Sequence, residues 1–434
     1  MNVEDLVSAL TLEEKAGLCS GADFWHTKAV ERLGIPAIKV SDGPHGLRTQ
    51  KEGSTDPNDA IEAVCFPAGC AAAASFDPAL TRRMGAALGR EARASGVQVL
   101  LGPAVNIKRS PLCGRNFEYY SEDPYLAGEL AAGFIQGVQS EGVGTSIKHF
   151  AANSQETRRL SADSRVDERT LHEIYLPAFE TAVKKARPWT VMCSYNRVNG
   201  DYASENKPLL TDILRDDWGF GGFVMSDWGA VNDRVKGVAA GLDLEMPGSG
   251  GVYDRKIIEA VQNGTLDIGV LDKAVARILN IVLRAADLAK LPAVFDHAAD
   301  HKLAVELAKQ SAVLLRNLGA LPLHKGQKVA YIGAFADHPR YQGGGSSHVN
   351  TTAISAMDAA IMNDRSVSYI EGFPADRDQR DEAEFLRAVT AAEAADVAVI
   401  FAGLPDSFES EGADRRHMRL PDCQNNLIAR VAAV

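Results

Sequence analysis

Short apolar runs rich in β-branched residues alternate with longer amphipathic segments from the N-terminus to about residue 285. This alternation is typical of repeated βα units. Six of the runs predict strands, which end near Asp42, Pro103, Phe150, Tyr195, Trp228 and Pro247. Intervening segments such as PALTRRMGAALGREARASG place apolar residues three and four positions apart, which predicts helices. The alternation of predicted strands and helices therefore predicts an α/β fold built on a parallel sheet.

Each predicted strand ends in or beside a side chain that can bind or react. These side chains are Asp42, Asn106, Lys148 with His149, Tyr195, Asp227 and Glu245. In a (β/α)8 barrel the carboxyl ends of all strands open on one face, and the active site lies there. An open doubly wound sheet would gather its ligands at one switch point instead. Six strand ends with such groups favour a TIM-like catalytic barrel, which we place at residues 1–290.

The pattern changes after the barrel segment. DHKLAVELAKQSAVLLRN predicts a helix, and a stretch broken by Gly and Pro follows it, so we expect a linker over residues 291–325. Beyond it, KVAYIGAFAD, SVSYIEGF and VAVIFAGL predict buried parallel strands of an α/β sandwich at residues 326–434. The sequence ends at LIARVAAV, inside a predicted helix. We expect this sandwich to be incomplete, with its remainder on further residues or on another chain.

The net charge and the cysteine content indicate which ligands and which cellular compartment to expect. The chain has 57 acidic and 46 basic residues and a formal net charge of -11, which disfavours nucleic acid and anionic membranes. Its six cysteines form no C-x-x-C pair and predict neither a zinc site nor a disulfide framework. The N-terminus lacks the basic and apolar regions of a secretory signal, and no run approaches the ~18 apolar residues of a membrane span. We expect a cytoplasmic protein that takes a small neutral substrate without a metal or cofactor, while oligomerisation stays open.

One candidate reactive group is Asp227. Hydrolysis of a glycosidic bond uses two carboxyl groups, one at the anomeric carbon and one that protonates the leaving oxygen. The apolar run GFVM would deliver Asp227 to the barrel rim, and Trp228 beside it offers an aromatic face to a sugar ring. The alternative is that Asp227 caps the next helix.

Candidates for the second carboxyl group lie in FESEGADR, which follows the last predicted strand. Glu409 and Glu411 lie two residues apart in this glycine-containing loop. If the loop reaches the barrel mouth, burial would keep one glutamate protonated near neutral pH. The alternative is a solvated acidic loop that pairs with Arg415 and Arg416.

Six motifs follow one another in a fixed order along the chain. They are SDGPHGLR at 41–48, GRNFEYYSEDPYLAG at 114–128, KHFAANSQETRR at 148–159, CSYNRVNG at 193–200, VMSDWGA at 224–230 and ESEGADRRHMRLP at 409–421. Together they resemble glycoside hydrolase family 3, and the likeness covers nearly all of the chain. The resemblance implies an O-glycosyl hydrolase with Asp227 as nucleophile. Glu409 matches the first glutamate of the pattern E-x-E-G-x-D-R and is predicted to be the acid/base, with Glu411 as the alternative and with Asp414 and Arg415 fixing the loop.

The same resemblance implies a sugar-binding −1 subsite. Its predicted contacts are Asp42, Arg115, Lys148, His149, Arg159 and Tyr195, with Trp228 as a hydrophobic wall. Lys148 and His149 could instead form a structural pair under the barrel rim, and Tyr195 could instead hold the Asp227 carboxylate. The loop KHFAANSQETRR lacks the proline and second histidine typical of the N-acetylglucosaminidase subgroup, which favours the design with two carboxyl groups.

The resemblance thus implies a retaining, exo-acting β-glycosidase that acts through a covalent glycosyl-Asp intermediate on a terminal β-glucoside. A β-xylosidase or another exo-glycosidase of the family is one alternative, and an inactive carbohydrate-binding fragment is another. An NAD-type oxidoreductase built on the second domain is a third. However, the glycine cluster YQGGGSSHVN fits neither G-x-G-x-x-G nor the P-loop pattern.

Overall fold

The computed structural model describes residues 2–56 and 58–434. Its strands are β1 (Val40–Asp42), β2 (Val99–Leu101), β3 (Gly144–Phe150), β4 (Asp163–Ser164), β5 (Thr190–Cys193), β6 (Arg197–Val198), β7 (Asp201–Tyr202), β8 (Phe223–Ser226), β9 (Val329–Ile332), β10 (Val367–Ile370) and β11 (Val397–Ile400).

The α-helices cover most of the segments that the apolar spacing predicts as helical. They are α1 (Val3–Ala9), α2 (Leu12–Leu18), α3 (Gly69–Ala73), α4 (Pro78–Ala94), α5 (Pro124–Ser140), α6 (Glu168–Thr170), α7 (Pro177–Ala186), α8 (Arg234–Ala240), α9 (Val252–Gln262), α10 (Ile268–Ala289), α11 (His297–Ser311), α12 (Ala356–Met362), α13 (Glu382–Glu393) and α14 (Asp422–Val431). Two further segments, Leu171–Tyr175 and Pro208–Asp217, are π-helical.

The first domain is built on a parallel sheet with the strand order β1-β2-β3-β5-β8. Next to β8, Leu244 forms a single parallel bridge to Met225, and Glu245 forms another to Ser20 near the N-terminus. The sheet thereby curves toward a barrel, with α4, α5 and α7 packed outside it. The predicted TIM-like class is confirmed, although the described residues pair as five regular strands in this sheet and continue it only by single bridges.

The helical segment between residues 168 and 186 is interrupted. It begins as α6, becomes π-helical over Leu171–Tyr175 and restarts as α7 at Pro177. Proline has no backbone N–H, so it cannot continue the hydrogen-bond ladder of the preceding turn. The break therefore follows from Pro177 within an otherwise apolar, helix-forming pattern.

Part of the predicted linker is the helix α11, which packs on the barrel. Leu303 and Leu307 of α11 are buried in the same cluster as Met84 of α4. The predicted helix runs to residue 317, but α11 ends at Ser311, where Ala312 turns extended. The next side chains, including Leu315, are exposed and have no apolar surface on which to continue a helical face.

The second domain has a three-stranded parallel sheet, as the sequence predicts, with the order β10-β9-β11. β9 is largely buried as predicted, whereas β10 and β11 are only partly buried. Its core joins Ile332 of β9 to Phe385 of α13 and Leu427 of α14. A further small sheet in the barrel domain pairs β4 with β6 and β6 with β7. Across residues 2–56 and 58–434, no helix is long and apolar enough to cross a membrane.

Candidate active site

Asp42 ends β1 and is buried among cations. Its Oδ2 accepts a hydrogen bond from Arg48 Nη1 at 2.6 Å, and its Oδ1 lies 3.8 Å from Lys148 Nζ. Burial raises the pKa of Asp42 to about 6, although Lys148 and Arg48 oppose that rise. The Asp42 carboxylate can therefore exchange its contacts with Arg48 and Lys148 for hydrogen bonds from hydroxyl groups.

The end of β3 presents Lys148 and His149 to two different carboxylates. Asn106 holds this strand end, because its side chain accepts from the backbone N–H of His149 at 2.8 Å and donates to its carbonyl at 2.9 Å. His149 Nε2 lies 3.6 Å from Asp227 Oδ2, whereas Lys148 lies beside Asp42. Burial and the nearby cations lower the pKa of His149 well below its usual value, so the ring is neutral at pH 7. The two side chains are therefore not a self-contained structural pair.

Asp227 follows β8 directly and is 8% exposed. Its Oδ1 accepts from the backbone N–H of Trp228 at 2.8 Å, while its buried Oδ2 receives no hydrogen bond from the described residues. Burial raises the pKa of Asp227, and Arg115 and Lys148 oppose the rise. The helix-cap alternative is wrong, because the next helix, α8, is capped by Asp233.

Tyr195 and Trp228 are linked to each other beside Asp227. The Tyr195 hydroxyl donates to the Trp228 carbonyl at 3.0 Å, so it does not hold the Asp227 carboxylate. Trp228 Nε1 donates to the Phe24 carbonyl at 3.0 Å, and its ring centroid lies 5.7 Å from that of Trp25. These contacts fix the indole next to Asp227 as the aromatic surface that the sequence predicts.

Arg115 lies fully buried between the two domains. It forms an ion pair with Glu118, and its Nη2 is 3.4 Å from Ser346 Oγ of the second domain. Its Nη1 lies 3.6 Å from Glu411 Oε1 and makes no hydrogen bond with the described residues. A buried guanidinium with an unsatisfied N–H group can donate to a ligand oxygen.

Glu411 reaches the barrel from the second domain. Its Oε1 accepts from Arg159 Nη1 at 3.0 Å, and its Oε2 accepts from Ser346 N at 2.7 Å and Ser346 Oγ at 2.8 Å. Burial opposes ionisation, but Arg115 and Arg159 outweigh it and hold the pKa of Glu411 well below its usual range. The guanidinium of Arg159 also lies 4.7 Å above the Tyr195 ring.

Glu409 occupies a different place. Its carboxylate lies 3.3 Å from Arg340 Nη1, and its carbonyl accepts from Arg340 Nη2 at 2.9 Å. It lines a separate cavity of about 860 Å³ together with Phe66 and His301. Glu409 is extended and precedes the tight turn of residues 410–413, whose tip carries Glu411.

The prediction of Glu409 as acid/base therefore disagrees with the geometry, which brings Glu411 to the site arginines. The solvated-loop alternative is also wrong, since the side chains of Glu409 and Glu411 are 12% and 14% exposed. Both are paired with arginines outside their own loop rather than with Arg415 and Arg416.

The structure adds residues that the sequence reasoning leaves without a role. They are Arg48, Glu118, Glu156 and Ser346. Each lies within a motif or a glycine cluster noted above, but no spacing rule shows that they contact Asp42, Arg115, Arg159 and Glu411. Among residues 2–56 and 58–434, no group of three His, Cys, Asp or Glu side chains is arranged to hold a metal ion.

These features define a two-domain α/β protein whose buried carboxylates and guanidinium groups lie close together at the carboxyl ends of the barrel strands. The glycosyl hydrolase family 3 N terminal domain matches residues 12–281, and the glycosyl hydrolase family 3 C-terminal domain matches residues 312–434. The chain belongs to glycosyl hydrolase family 3.

Similar proteins carry glycosidase names. Thermostable β-glucosidase B of Acetivibrio thermocellus is 55% identical over 100% of this chain and 58% of its own length. An exo-α-(1→6)-L-arabinopyranosidase of Bifidobacterium longum is 48% identical over 98% of this chain and 58% of its own length. The chain thus spans about 58% of the length of these curated relatives.

Solved structures agree with the fold. The GH3 β-glucosidase of Bifidobacterium adolescentis superposes with a TM-score of 0.93 at 46% identity, over 98% of this chain and 62% of that one. β-Glucosidase 3B of Thermotoga neapolitana in complex with glucose gives a TM-score of 0.90 at 37% identity, over 99% of this chain and 67% of that one. A barrel followed by an α/β sandwich is therefore the fold of this chain.

Proposed function

We propose that this chain forms the catalytic region of a retaining, exo-acting β-glucosidase. The observation that carries the proposal is the buried Asp227 carboxylate at the end of β8, with one oxygen unsatisfied and with His149 and Trp228 beside it. A carboxylate in this state can bond to an anomeric carbon. The β-glucosidase names of several relatives support glucose as the sugar.

In the first step Asp227 attacks C1 of the sugar, and the bond to the leaving oxygen breaks as that oxygen takes a proton. We assign this proton transfer to Glu411, which lies on the opposite domain and within reach of Arg115 and Arg159. In the second step the Glu411 carboxylate takes a proton from water, and that water displaces Asp227 from C1. Two displacements at one carbon retain its configuration.

Glu411 must be protonated before it can act as an acid. In the structure its two arginines stabilise the ionised form. A sugar whose hydroxyl groups accept hydrogen bonds from Arg115 and Arg159 would weaken those ion pairs. Binding of the correct sugar would thereby raise the pKa of Glu411 toward the range in which it donates a proton.

The remaining pocket residues are assigned to sugar recognition. Asp42 can accept hydrogen bonds from two adjacent hydroxyls, and Lys148 and Arg115 can donate to others. A sugar that lacks one of these hydroxyls leaves a buried polar group unpaired, which is costly. Tyr195 contributes by orienting Trp228 through its hydrogen bond to the Trp228 carbonyl.

The decisive experiment is covalent labelling. Incubation with 2,4-dinitrophenyl 2-deoxy-2-fluoro-β-D-glucoside followed by peptide mass spectrometry should find the sugar on Asp227. Asp227→Asn should take no label and should lose about 10⁴-fold or more in turnover, whereas Asp233→Asn, a helix cap outside the pocket, should retain both. Label on another residue, or undiminished turnover by Asp227→Asn, would contradict the proposal.

A panel of nitrophenyl glycosides separates the candidate sugars. Preference for β-D-glucoside supports the assignment, and preference for α-L-arabinopyranoside would follow the Bifidobacterium relatives. Preference for β-D-xyloside would favour a xylosidase. Glucose binding without turnover of any glycoside would instead indicate a carbohydrate-binding protein.

A further inference from the structure

Asp414 of the second domain binds two separate loops of the barrel. Its Oδ1 accepts from the backbone N–H groups of Gly114 at 3.0 Å and Glu156 at 2.9 Å, and its Oδ2 accepts from that of Thr157 at 2.8 Å. One loop continues directly into Arg115, and the other reaches Arg159 two residues after Thr157. A single carboxylate therefore joins the backbones that carry the two arginines beside Glu411.

A reciprocal contact runs from the barrel to the second domain. The buried Glu156 carboxylate accepts from Gly412 N at 2.7 Å, and the same oxygen accepts from Arg159 Nη1 at 2.6 Å. Further along the loop, Arg415 N donates to the Leu112 carbonyl at 2.8 Å. The residues that follow Glu411 are thus held by the barrel.

Gly114 shows how closely the two backbones approach. A Cβ atom at this position would lie 2.0 Å from the Ala413 carbonyl oxygen and 2.4 Å from that of Ser410. These distances are far shorter than any van der Waals contact, and the atoms met belong to backbone. Any residue other than glycine would push the turn of residues 410–413 away from the barrel.

Asp414 is ionised in this contact. Burial acts to raise its pKa, but hydrogen bonds from Thr157, Glu156 and Gly114 outweigh burial and hold the pKa below its ordinary value. Hydrogen bonds to a charged acceptor are stronger than those between neutral groups. The contact therefore resembles an anion held in a nest of backbone N–H groups.

We infer that Asp414 is a positioning residue which, from the second domain, sets the places of Arg115 and Arg159 in the barrel pocket. The sequence gives Asp414 a role only within its own loop, whereas its contacts lie in the other domain. Sugar binding by the barrel then depends on the docked loop at residues 409–415. The part of this inference that concerns sugar rests on the proposed function.

The first test compares Asp414→Asn with Asp406→Asn, whose side chain is 82% exposed on the same loop. The amide keeps one oxygen but places an NH₂ group against one of the three backbone donors, so the arginine loops should shift. We expect the inhibition constant for glucose, and the KM for 2,4-dinitrophenyl β-D-glucoside, to rise about tenfold in Asp414→Asn and to stay unchanged in Asp406→Asn.

This signature differs from that of a residue that merely holds Glu411. Loss of the acid alone would slow substrates with poor leaving groups and leave glucose inhibition unchanged. An inhibition constant within twofold of that of the parent protein would therefore overturn the inference. If the parent protein neither binds glucose nor hydrolyses glucosides, the proposed function fails. Hydrogen exchange still tests whether Asp414 holds the two barrel loops, because it needs no activity.

The second test is amide hydrogen exchange, which needs no activity. Asp414→Asn should speed exchange in peptides containing residues 114 and 156–157 by about tenfold or more, while peptides from β9 keep their rates. Gly114→Ala should produce the same local change without altering charge, and Gly221→Ala, which has open space at its Cβ, should not. Unchanged exchange at residues 114 and 156–157 in both Asp414→Asn and Gly114→Ala would refute the contact itself.

Discussion

The substitution Glu411→Gln removes one negative charge from a pocket in which Arg159 lies 3.0 Å and Arg115 3.6 Å from the carboxylate. Glutamine keeps the size and one oxygen, but it cannot donate or take the catalytic proton. General acid catalysis contributes about 10²–10⁴-fold, or roughly 3–5 kcal/mol of barrier. We expect a loss of this size in kcat/KM for 4-nitrophenyl and alkyl glucosides and a much smaller loss in kcat/KM for the 2,4-dinitrophenyl glucoside, whose leaving group needs no proton. The kcat of all three should fall, because they share the second step, in which Glu411 takes a proton from water.

The same change should lower folding stability. A buried cation that loses its partner typically costs about 3–5 kcal/mol, and the remaining glutamine oxygen recovers part of this, which leaves about 2 kcal/mol. Because the folded-state pKa of Glu411 lies below the unfolded value of 4.5, this stabilisation is present above pH 4.5 and is lost as the pH falls. The difference in unfolding free energy between the parent protein and Glu411→Gln should be at its maximum at pH 7 and should decrease below pH 4.5.

Glu409→Gln is the matched control, since Glu409 is equally shielded but pairs with Arg340. Steady-state kinetics with the three leaving groups, with and without azide, should show rescue by azide in Glu411→Gln alone, together with a β-glucosyl azide product. Urea denaturation at pH 7 and at pH 4 measures the stability difference. Azide rescue in Glu409→Gln, with ordinary kinetics in Glu411→Gln, would refute the assignment and restore the prediction made from the motif.

Two other expectations concern buried carboxyl groups. Burial raises the pKa of Glu91 in α4 to about 7, so its ionisation destabilises the fold progressively between pH 4.5 and pH 7. Glu91→Gln should therefore be more stable than the parent protein by about 3 kcal/mol at pH 8 and nearly equal to it at pH 4.5, measured by urea denaturation; an equal difference at both pH values would contradict this. Because Asp42 has a pKa of about 6, kcat/KM should fall about tenfold per pH unit below pH 6, and a profile that stays flat down to pH 5 would show that its ionised form is not required.

The fold was largely predictable because strand and helix periods are local properties of the sequence. β3 ends at Phe150 as predicted, and β9, β10 and β11 all lie within the runs predicted as strands. The segment that ends at Pro247 was predicted as a strand but forms only single bridges at Leu244 and Glu245. Its residues are buried as predicted, so apolar pattern alone does not distinguish a paired strand from an irregular buried segment.

The site was predictable where a residue's place follows from its strand. Asp42 and Asp227 both lie beside the end of β3, next to Lys148 and His149 respectively, because parallel strands end on one face. The choice between Glu409 and Glu411 depends instead on the direction of a turn and on contacts between distant parts of the chain. Neither spacing nor charge pattern carries that information, so resemblance to the motif favoured Glu409, whereas the contacts with Arg115 and Arg159 favour Glu411.

The charges of the two domains are coupled in a direction that suits the proposed chemistry. Ionised Glu411 raises the pKa of Asp227, whereas Arg115 and Lys148 lower it. Such coupling is reciprocal, so protonation of Glu411 favours ionisation of Asp227. A sugar that draws Arg159 away from Glu411 would therefore promote both a protonated acid and an ionised nucleophile, the pair that the first displacement requires. The loop from the second domain can thus set the protonation state of the barrel carboxylate as well as supply a proton to the leaving group.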